Sequence, residues 1–462
     1  MDLYEHINGF FNPKSVAVIG ASSKPGKIGY AVLDNLRRYH GKVFPINPRK
    51  DEILGLKSYP SIEDVPETID MAVIVIRSED VPQTIEKCAK KGVKNIVIIS
   101  GGFKEIGGKY RNIEEEIAEM ARKYNIRIVG PNCIGVFDPR TGLDTFFQPR
   151  HRMLRPGPGN VAFLSQSGTY GIILLEWAAM DHLGVSKFVS YGNKVDVDEA
   201  DLLLYLLEEP NTEVIGIYME GLKDGKKFYD AAKKVSKVKP VVILRGGWSE
   251  QARMAVMSHT GFLGGSGRIY WGAFKQAGLY IAKNLEDLYD MVKALAKQTF
   301  ARGNRVAMVS NGAGPMVQAI DAMVLEGLEL AKLSEETIKR FKEELSPFTV
   351  VNNPVDVTGS ATTEDYKIVI DSLIDDPNVD MIFVFFVHSD SPLTPDIVDV
   401  LGELSKKAKE LNKPILIGAA GGPYTLKLNE KAEKLGIPTY PIPERLVSAA
   451  KALYLEGIKK GT

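Results

Sequence analysis

One histidine, His259, lies in a segment of small residues and is the first candidate for a reactive group. The segment reads Met257-Ser-His-Thr-Gly-Phe-Leu-Gly-Gly-Ser266 and follows a predicted strand that ends at Leu244. A histidine acts as a nucleophile when one ring nitrogen is presented to the electrophile and a carboxylate or carbonyl holds the other. Glu220, which follows the predicted strand Val214–Met219, could supply that carboxylate. The alternative is an ordinary solvated histidine and a surface acid.

Two turns offer side-chain polar groups and backbone N–H groups at the start of a predicted helix. They are Ser165-Gln166-Ser167-Gly168 and Asn311-Gly312-Ala313-Gly314. The amino end of a helix carries partial positive charge and unpaired N–H groups, which favour phosphate. Either turn taken alone is also explained by simple N-capping, which is worth about 1 kcal/mol to a helix.

A third turn, Gly20–Gly29, follows a predicted buried strand near the amino terminus. Its candidate contacts for a phosphorylated ligand are Gly20, Ser22, Ser23, Lys24, Pro25 and Gly26, with Lys50 as a further cation. The glycine spacing is not G-x-G-x-x-G, and Val43–Pro48 has no acidic residue to hold an NAD ribose, so a nicotinamide cofactor is disfavoured. The turn favours a nucleotide or coenzyme A over a purely structural role.

Two further glycine-containing segments follow strands of the same predicted sheet. They are Ser100-Gly101-Gly102-Phe103 and Gly130-Pro131-Asn132-Cys133-Ile134-Gly135. Loops at the carboxyl ends of parallel strands form the ligand crevice of such sheets. Each segment alone is explained by turn formation, but together they indicate that a long ligand could run along one sheet edge.

The elements that must position these residues alternate between short β-rich runs and amphipathic stretches, which predicts α/β structure with parallel sheets. The predicted strands of the first block are Ser15–Ala21, Lys42–Asn47, Met71–Ile76, Asn95–Ser100 and Arg127–Val129. The second block has predicted strands at 160–165, 187–190, 214–219, 241–244 and 279–281, and the third at 305–310, 381–387, 414–417 and 438–440. Predicted helices include Gly168–Met180, Glu199–Glu208 and Leu285–Thr299.

An internal repeat relates the second and third blocks. Val161-Ala-Phe-Leu-Ser-Gln-Ser-Gly168 resembles Val306-Ala-Met-Val-Ser-Asn-Gly-Ala-Gly314 in its strand, its turn and the helix that follows. The segment Asp138–Asn160 is rich in proline and glycine and is interpreted as a connector. We therefore expect three domains at 1–137, 138–300 and 301–462.

Composition excludes several classes of function. With 462 residues, equal numbers of acidic and basic side chains and no long apolar run, the sequence predicts neither a nucleic-acid-binding protein nor a membrane protein. The amino terminus does not resemble a secretion signal, so we expect a cytoplasmic protein. Cys88 and Cys133 lie in different elements, and no histidine pair has metal-ligand spacing, so no protein-built metal site is expected.

Taken in order, the motifs resemble those of the α subunit of ADP-forming acetyl-CoA synthetases, relatives of succinyl-CoA synthetase. The motifs are Gly20–Gly29, Gly130–Gly135, Ser165–Thr169, Tyr218-Met-Glu-Gly-Leu222, Ser258-His-Thr-Gly261 and Asn353-Pro-Val-Asp-Val-Thr-Gly359. The resemblance implies a Rossmann-like CoA-binding domain followed by two flavodoxin-like doubly wound domains. Each motif is weak alone, but the ordered set is specific.

The resemblance also implies a reaction and a set of roles. Acyl-CoA and phosphate give acyl phosphate and coenzyme A, His259 accepts the phosphoryl group with Glu220 orienting it, and a partner passes the group to ADP. The turns at Ser165–Gly168 and Asn311–Gly314 would bind phosphate, and the first turn, Ser100–Gly102 and Asn132 would contact coenzyme A. The partner implied is an ATP-grasp β subunit that holds Mg²⁺ and ADP or ATP in an α₂β₂ heterotetramer.

Three other readings of the sequence remain open. The chain could be a CoA-binding regulatory protein or scaffold without phosphoryl transfer. It could belong to a protein acyltransferase, although there is no spare length for an acetyltransferase domain. The third is an NAD-linked dehydrogenase, which the missing dinucleotide fingerprint disfavours.

Overall fold

Parallel β-sheets form the framework of the chain. The computed structural model describes residues 2–252, 254 and 267–461. The chain forms two compact units that divide between Ala282 and Lys283. Two large sheets lie in the first unit and one lies in the second. The predicted α/β class with parallel sheets is therefore confirmed.

The first sheet is entirely parallel, with strand order β2-β1-β5-β6-β7. Its strands are β1 Ser15–Ile19, β2 Lys42–Ile46, β5 Met71–Ile74, β6 Asn95–Ile98 and β7 Arg127–Val129, with a small hairpin of β3 Glu52–Ile53 and β4 Leu56–Lys57. The helices of this part are Leu3–Asn8, Ile28–Leu36, Val81–Lys91 and Lys109–Tyr124. The chain runs from β1 to β2 on one side and later to β5 on the other. The turn after β1 therefore sits at a topological switch point, where ligands bind in open α/β sheets.

The second sheet has the order β14-β13-β12-β10-β11-β8-β9. Its strands are β8 Gly135–Asp138, β9 Leu143–Asp144, β10 Pro158–Ser165, β11 Val185–Ser190, β12 Val214–Met219, β13 Val241–Arg245 and β14 Tyr280–Ile281. The helices are Gly168–Met180, Glu199–Glu208, Gly225–Val235 and Gly267–Gln276. Because β10 is flanked by β11 and β12, the turn after β10 lies at a second switch point.

The expectation of a connector over Asp138–Asn160 is wrong in part. Strand β9 lies inside this segment. It pairs antiparallel with β8, which in turn pairs antiparallel with β11 and so extends the second sheet. The physical reason is that Phe137, Leu143 and Phe146 are fully buried, and the Phe146 ring meets Phe188 of β11 edge-on at 5.4 Å. Burial of these side chains favours a hairpin despite the neighbouring prolines.

The sheet of the second unit is parallel, with order β16-β15-β18-β19-β20 and β17 paired with β15. Its strands are β15 Arg305–Ser310, β16 Glu329–Leu330, β17 Val355–Asp356, β18 Met381–Phe385, β19 Ile415–Gly418 and β20 Thr439–Tyr440. The helices are Leu285–Lys297, Ala313–Glu326, Glu335–Glu344, Thr363–Asp375, Ile397–Glu410, Pro423–Lys434 and Pro443–Lys460. The helix Leu285–Lys297 thus lies with the second unit.

Strand burial explains why the central strands were readable from sequence. Every residue of β12 and of β18 is buried, as expected for parallel strands covered on both faces. Among the residues that the structure describes, none of the helices combines the length and the apolar character required to cross a bilayer.

A buried ion cluster holds the helix Pro423–Lys434 in the second unit. Glu433 is 3% exposed and accepts hydrogen bonds from Lys293 Nζ at 3.0 Å and from the backbone N–H of Thr439 at 2.7 Å. Lys297 Nζ lies 2.5 Å from the other carboxylate oxygen. The cluster therefore links the helix to Leu285–Lys297 and to the end strand β20.

We expect Glu433→Ala to lower the free energy of unfolding by about 3–5 kcal/mol, because it removes the carboxylate from two buried ammonium groups. Urea denaturation followed by circular dichroism measures the change. The matched control is Glu430→Ala on the same helix, whose partner Lys434 is about half exposed, and it should cost less than about 1 kcal/mol. Equal losses in the two variants would contradict the importance of the buried cluster.

Candidate functional site

One cleft in the first unit collects side chains from the carboxyl edges of both of its sheets. Its volume is about 980 Å³. The lining residues that the sequence singled out are Gly20, Ser22, Ser100, Gly101, Asn132, Gln166, Ser167, Gly168 and Glu220. The cleft therefore brings the first turn, the second turn and the candidate orienting glutamate into one cavity.

The first turn is shaped by two glycines at close backbone contacts. Gly20 has φ +91°, and a Cβ atom there would lie 2.2 Å from the carbonyl oxygen of Val75. A Cβ atom on Gly29 would lie 2.0 Å from the carbonyl oxygen of Gly20. The helix Ile28–Leu36 consequently starts against the turn, and no side chain caps it. This places a helix amino end, favourable to phosphate, at the cleft.

Other residues proposed for coenzyme A are distributed unevenly around this cleft. Ser100 and Asn132 line it, and the Ser100 hydroxyl donates to the carbonyl of Ile76 at 2.5 Å and accepts from its N–H at 3.1 Å. The remaining predicted contacts, Ser23, Lys24, Pro25, Gly26, Lys50 and Gly102, are not among the lining residues. Ser23 to Gly26 and Lys50 are exposed. Sequence spacing alone thus placed the turn but not the direction of each side chain.

The second turn starts the helix Gly168–Met180 at the cleft. Ser167 is its N-cap residue and accepts a hydrogen bond from the N–H of Tyr170 at 3.4 Å. Ser165 is fully buried and donates to the carbonyl of Ser167 at 2.6 Å, so its hydroxyl shapes the turn from inside. Ser167 and Gly168 remain the parts of this turn that line the cavity.

Gln166 links this turn to the glutamate. It is 5% exposed, and its Oε1 accepts hydrogen bonds from the N–H groups of Glu220 at 2.8 Å and Gly221 at 3.4 Å. Its Nε2 is buried and has no hydrogen-bond partner among the residues that the structure describes. Because Gln166 lines the cavity, this amide is a donor available to an anionic ligand.

Glu220 lies at the end of β12 and is largely shielded from solvent. It is 9% exposed, and Tyr218 donates its hydroxyl to Glu220 Oε1 at 3.3 Å. Burial and the nearby carboxylate raise the pKa of Tyr218, which keeps the phenol protonated as a donor. A Cβ atom on Gly246, just after β13, would lie 3.6 Å from Glu220 Cγ. The chain that leaves β13 toward position 259 therefore starts beside Glu220.

His259 itself lies outside the described residues, so the structure does not locate the candidate nucleophile. The segments on either side are held together by Arg245. Its guanidinium carbon lies 4.0 Å from the ring centroid of Tyr270 and 5.4 Å from that of Trp248, and the side chain is 1% exposed. Cation–π contacts of this kind tie the residue range before His259 to the range after it.

The cleft contains a thiol that is a poor nucleophile. Cys133 is 5% exposed, and burial raises the pKa of its thiol to about 12. Since the thiolate is the nucleophilic form, Cys133 is not suited to accept an acyl group. In the described part of the chain, no group of three or more His, Cys, Asp or Glu residues is arranged to hold a metal ion.

The predicted phosphate turn of the second unit repeats the hydrogen bonds of the first. Ser310 donates to the carbonyl of Gly312 at 2.7 Å, as Ser165 does to Ser167. Asn311 Oδ1 accepts from the N–H of Val387 at 2.9 Å, as Gln166 accepts from Glu220. The equivalence supports the internal repeat.

Asn311 is less available to a ligand than the glycines beside it. It is 4% exposed, and its amide donates to Asp390 at 2.9 Å and to the carbonyl of Val387 at 3.1 Å. Gly312 precedes the helix Ala313–Glu326 without a side-chain cap. A Cβ atom on Gly314 would meet nothing within 4 Å. The open part of this turn is therefore Gly312 to Gly314.

Several lining residues were not among the site residues predicted from the sequence. They are Ala21, Lys27, Ile28, Gly29, Asn47, Val75, Ile76, Ile99, Cys133, Ile134, Phe147, Gln148, Thr169, Ile172, Gly192 and Asn193. Lys27 and Asn47 had a usable signal, because Lys27 lies within the turn Gly20–Gly29 and Asn47 ends the predicted strand Lys42–Asn47. Phe147 and Gln148 had none, since they reach the cleft from the hairpin region that was interpreted as a connector.

Three family profiles match consecutive parts of the chain. A CoA binding domain matches residues 14–139, a succinyl-CoA ligase like flavodoxin domain matches 158–295, and a ligase-CoA domain matches 306–454. The predicted sequence of a CoA-binding domain and two flavodoxin-like domains agrees with this order.

Relatives of known activity resemble the chain over nearly all of its length. The α subunit of acetate–CoA ligase [ADP-forming] II from Pyrococcus furiosus is 42% identical over 96% of this chain and 96% of its own. Acetate–CoA ligase [ADP-forming] from Methanocaldococcus jannaschii is 40% identical over 97% of this chain but only 63% of its own length.

A solved structure of similar sequence has the same fold. The dinucleotide-forming acetyl-coenzyme A synthetase 1 of Ca. Korarchaeum cryptofilum, in complex with phosphate and ADP, is 39% identical with a TM-score of 0.91. The match covers 98% of this chain and 97% of that one. With the motifs and the cleft, these matches confirm the resemblance inferred from the sequence. The chain belongs to the family of ADP-forming acetate–CoA ligases and corresponds in extent to their α subunits.

Proposed function

We propose that this chain is the α subunit of an ADP-forming acyl-CoA synthetase of the acetyl-CoA type. With its partner it would convert acyl-CoA, phosphate and ADP into carboxylic acid, coenzyme A and ATP. One observation carries the proposal: the Gly20 turn, the start of the helix at Gly168 and Glu220 share a single cleft of about 980 Å³. A thioester ligand could lie along the first turn while its carbonyl carbon meets phosphate at the second.

In the first step an oxygen of inorganic phosphate attacks the thioester carbonyl. A C–O bond forms, the C–S bond breaks and coenzyme A leaves. The Ser167 and Gly168 helix start and the Gln166 amide line the cleft, and we propose that they stabilise the negative charge of phosphate without reorganisation. The apolar lining, including Ile134 and Ile172, would keep water from the acyl phosphate.

In the second step a ring nitrogen of His259 attacks the phosphorus of the acyl phosphate, and the carboxylate leaves. Glu220 is proposed to accept a hydrogen bond from the other ring nitrogen, which fixes the tautomer and stabilises the cationic ring. Two contacts support this role: Gln166 holds the Glu220 N–H, and Tyr218 holds Oε1. The turn from Asn311 to Gly314 is proposed as a second phosphate-binding helix start.

The third step requires a nucleotide site that we assign to a separate ATP-grasp β subunit carrying Mg²⁺ and ADP or ATP. The naming of the Pyrococcus furiosus relative as a subunit supports a partner. So does the Methanocaldococcus jannaschii relative, of which this chain spans only 63%. We further propose an α₂β₂ heterotetramer working in the cytoplasm, where CoA thioesters and ADP are available, and functional divisions of the chain at 137/138 and 300/301.

The purified chain incubated with acetyl-CoA and radiolabelled phosphate should acquire an acid-labile, alkali-stable label, and His259→Ala should abolish it. The reason is that a phosphoramidate on imidazole hydrolyses in acid but survives base. Filter-bound radioactivity measures the label. His40→Ala, at an exposed histidine, is the control and should label normally.

The label should remain on the chain when ADP and Mg²⁺ are added, and move to ATP only when the partner subunit is present. If the His259→Ala chain acquired as much label as the native chain, His259 would be excluded as the residue that carries the phosphoryl group. Tight CoA binding with no label under any condition would instead indicate a CoA-binding scaffold.

We expect Glu220→Gln to slow formation of the labelled chain by about 100-fold, because the amide cannot stabilise the cationic imidazole. Rapid-quench labelling measures the rate. The affinity for coenzyme A should stay unchanged, since only the phosphoryl step is affected. Glu208→Gln, at an exposed acid, serves as the control. A normal rate in Glu220→Gln would exclude the orienting role.

We expect Gly29→Ala to weaken coenzyme A binding by about ten-fold or more, since the added methyl would press on the Gly20 carbonyl and displace the helix start. Isothermal titration calorimetry gives the dissociation constant, and a thermal melt shows whether the fold survives. The control is Gly225→Ala, at the first residue of another helix, where a Cβ atom meets nothing within 4 Å. Unchanged affinity in a folded Gly29→Ala protein contradicts the placement of the ligand.

A further inference from the structure

Three lysines converge on the loop that follows β11 in the first unit. Lys104 Nζ donates to the carbonyl of Asn193 at 3.1 Å, and Lys223 Nζ donates to the carbonyl of Val195 at 3.1 Å. Lys194, in the loop itself, donates to the carbonyl of Gly221. The loop is therefore surrounded by ammonium groups from three parts of the chain.

The three ammonium groups differ in their counter-charges. Lys104 forms an ion pair with Glu114 at 3.2 Å, and Lys194 forms one with Glu199. Lys223 forms no ion pair with any carboxylate of the residues that the structure describes. It is thus the lysine of this cluster whose positive charge is least compensated.

Lys223 combines an inward-reaching amine with access from solvent. The residue as a whole is exposed, while its Nζ sits against the backbone of Val195. Desolvation, followed by the nearby charges of Lys104 and Lys194, lowers the pKa of Lys223 to about 8. A lysine with cationic neighbours and partial desolvation is partly neutral near physiological pH and acts as a nucleophile.

The backbone that carries Lys223 and the loop that its amine contacts both lead to the wall of the cleft. Lys223 is three residues after Glu220, which lines the cavity, so their Cα atoms are at most about 11 Å apart. Val195, which accepts its hydrogen bond, is two residues after Asn193, another lining residue. Lys223 is not itself a lining residue, so its side chain would turn toward the rim of the cleft to meet an acyl group bound there.

We propose that Lys223 is a site of self-acylation by the activated acyl group that the cleft holds, either acyl phosphate or acyl thioester. The inference rests on the proposed function for the presence of that donor. The neutral Nζ attacks the acyl carbonyl carbon, an N–C bond forms, and the C–O bond to phosphate or the C–S bond to coenzyme A breaks. Phosphate or coenzyme A leaves, and the surplus amine proton passes to solvent.

The modification would alter the loop chemically. Acylation removes the positive charge of Lys223 and changes its donor to Val195 from an ammonium to an amide N–H. The loop carries Gly192 and Asn193 at the cleft. A chain exposed to excess acyl donor would thus be acylated on a lysine that contacts a loop of its own binding site.

The test treats the full chain with acetyl phosphate or, separately, with acetyl-CoA at pH 8, and follows acetylation by mass spectrometry over time. Lys226 is the internal control, because its hydrogen bond to Asp230 at 2.6 Å raises the pKa of its amine. Proteolytic cleavage on the amino side of Asp224 places the two lysines on different peptides. At pH 8 about half of the Lys223 amine is neutral, against less than about 1% for Lys226.

We expect Lys223 to react at least about ten-fold faster than Lys226, with a rate that levels off above about pH 8 while that of Lys226 keeps rising. The rate should also saturate with donor concentration, because the donor is bound first. The donor that saturates identifies the source of the acyl group. Lys223→Arg should remove the acetylated peptide and leave Lys226 unaffected.

Reaction of Lys223 no faster than that of Lys226, or a rate strictly linear in both donors, overturns the proposal. Phosphate labelling of the same preparation is measured as an independent assay. Because acetyl phosphate is added directly, acetylation of Lys223 does not depend on the chain forming acyl phosphate itself. Loss of the label with fast acetylation of Lys223 therefore counts against the proposed function alone, and the reverse pattern counts against the acylation site alone.

Discussion

The close approach of two backbone loops decides where the cleft can form. Gly192, after β11, lies so near the first sheet that a Cβ atom would be 2.2 Å from the Asn132 carbonyl oxygen and 2.3 Å from that of Pro131. The N–H groups of Asn193 and Val195 donate to the carbonyls of Pro131 and Gly130 at 2.9 and 2.8 Å. Any larger residue at position 192 would push these loops apart. The shared cavity, and the chemistry proposed for it, depend on this contact.

Buried charged residues also stabilise the contact between the loop after β11 and the first sheet. Asn193 is 1% exposed and donates its amide to Glu105 at 2.8 Å and to Glu114 at 2.9 Å. Glu114 in turn pairs with Lys104, which holds the carbonyl of Asn193. Hydrogen bonds to ionised groups are stronger than neutral ones and become more so away from water. The loop is thus fixed by a polar network in addition to the apolar packing of Val195, which explains why charged residues lie so near a ligand cleft.

Much of the framework was predictable because local signals agreed with the tertiary structure. The helices Gly168–Met180 and Glu199–Glu208 and the strand Val214–Met219 were predicted with the bounds observed, since N-capping residues or a continuous apolar run mark their ends. The strands of the hairpin in 135–144 were missed, because β8 pairs with residues of β11 more than forty positions away and β9 joins the sheet only through β8. Prolines and glycines nearby suggested a connector instead.

The site was predictable to the level of turns but not of side chains. Glycine spacing located Gly20, and the order of motifs located Glu220 and the second turn. Burial of Ser165 and exposure of Lys24 could not be foreseen, because both depend on which way a turn faces once the sheets are assembled. The role of Asn193 in fixing the loop could not be predicted for a similar reason, because its hydrogen-bond partners are Glu105 and Glu114, far from it in sequence.

The burial of both cysteines has a practical consequence. Cys88 is fully buried in the first sheet's core and Cys133 lies in the wall of the cleft, and desolvation raises the pKa of each thiol to about 12. Maleimide and iodoacetamide react with thiolates, so the native chain offers them almost no target. A cysteine introduced on the surface would therefore take up a fluorophore or spin label selectively, without first removing either natural thiol.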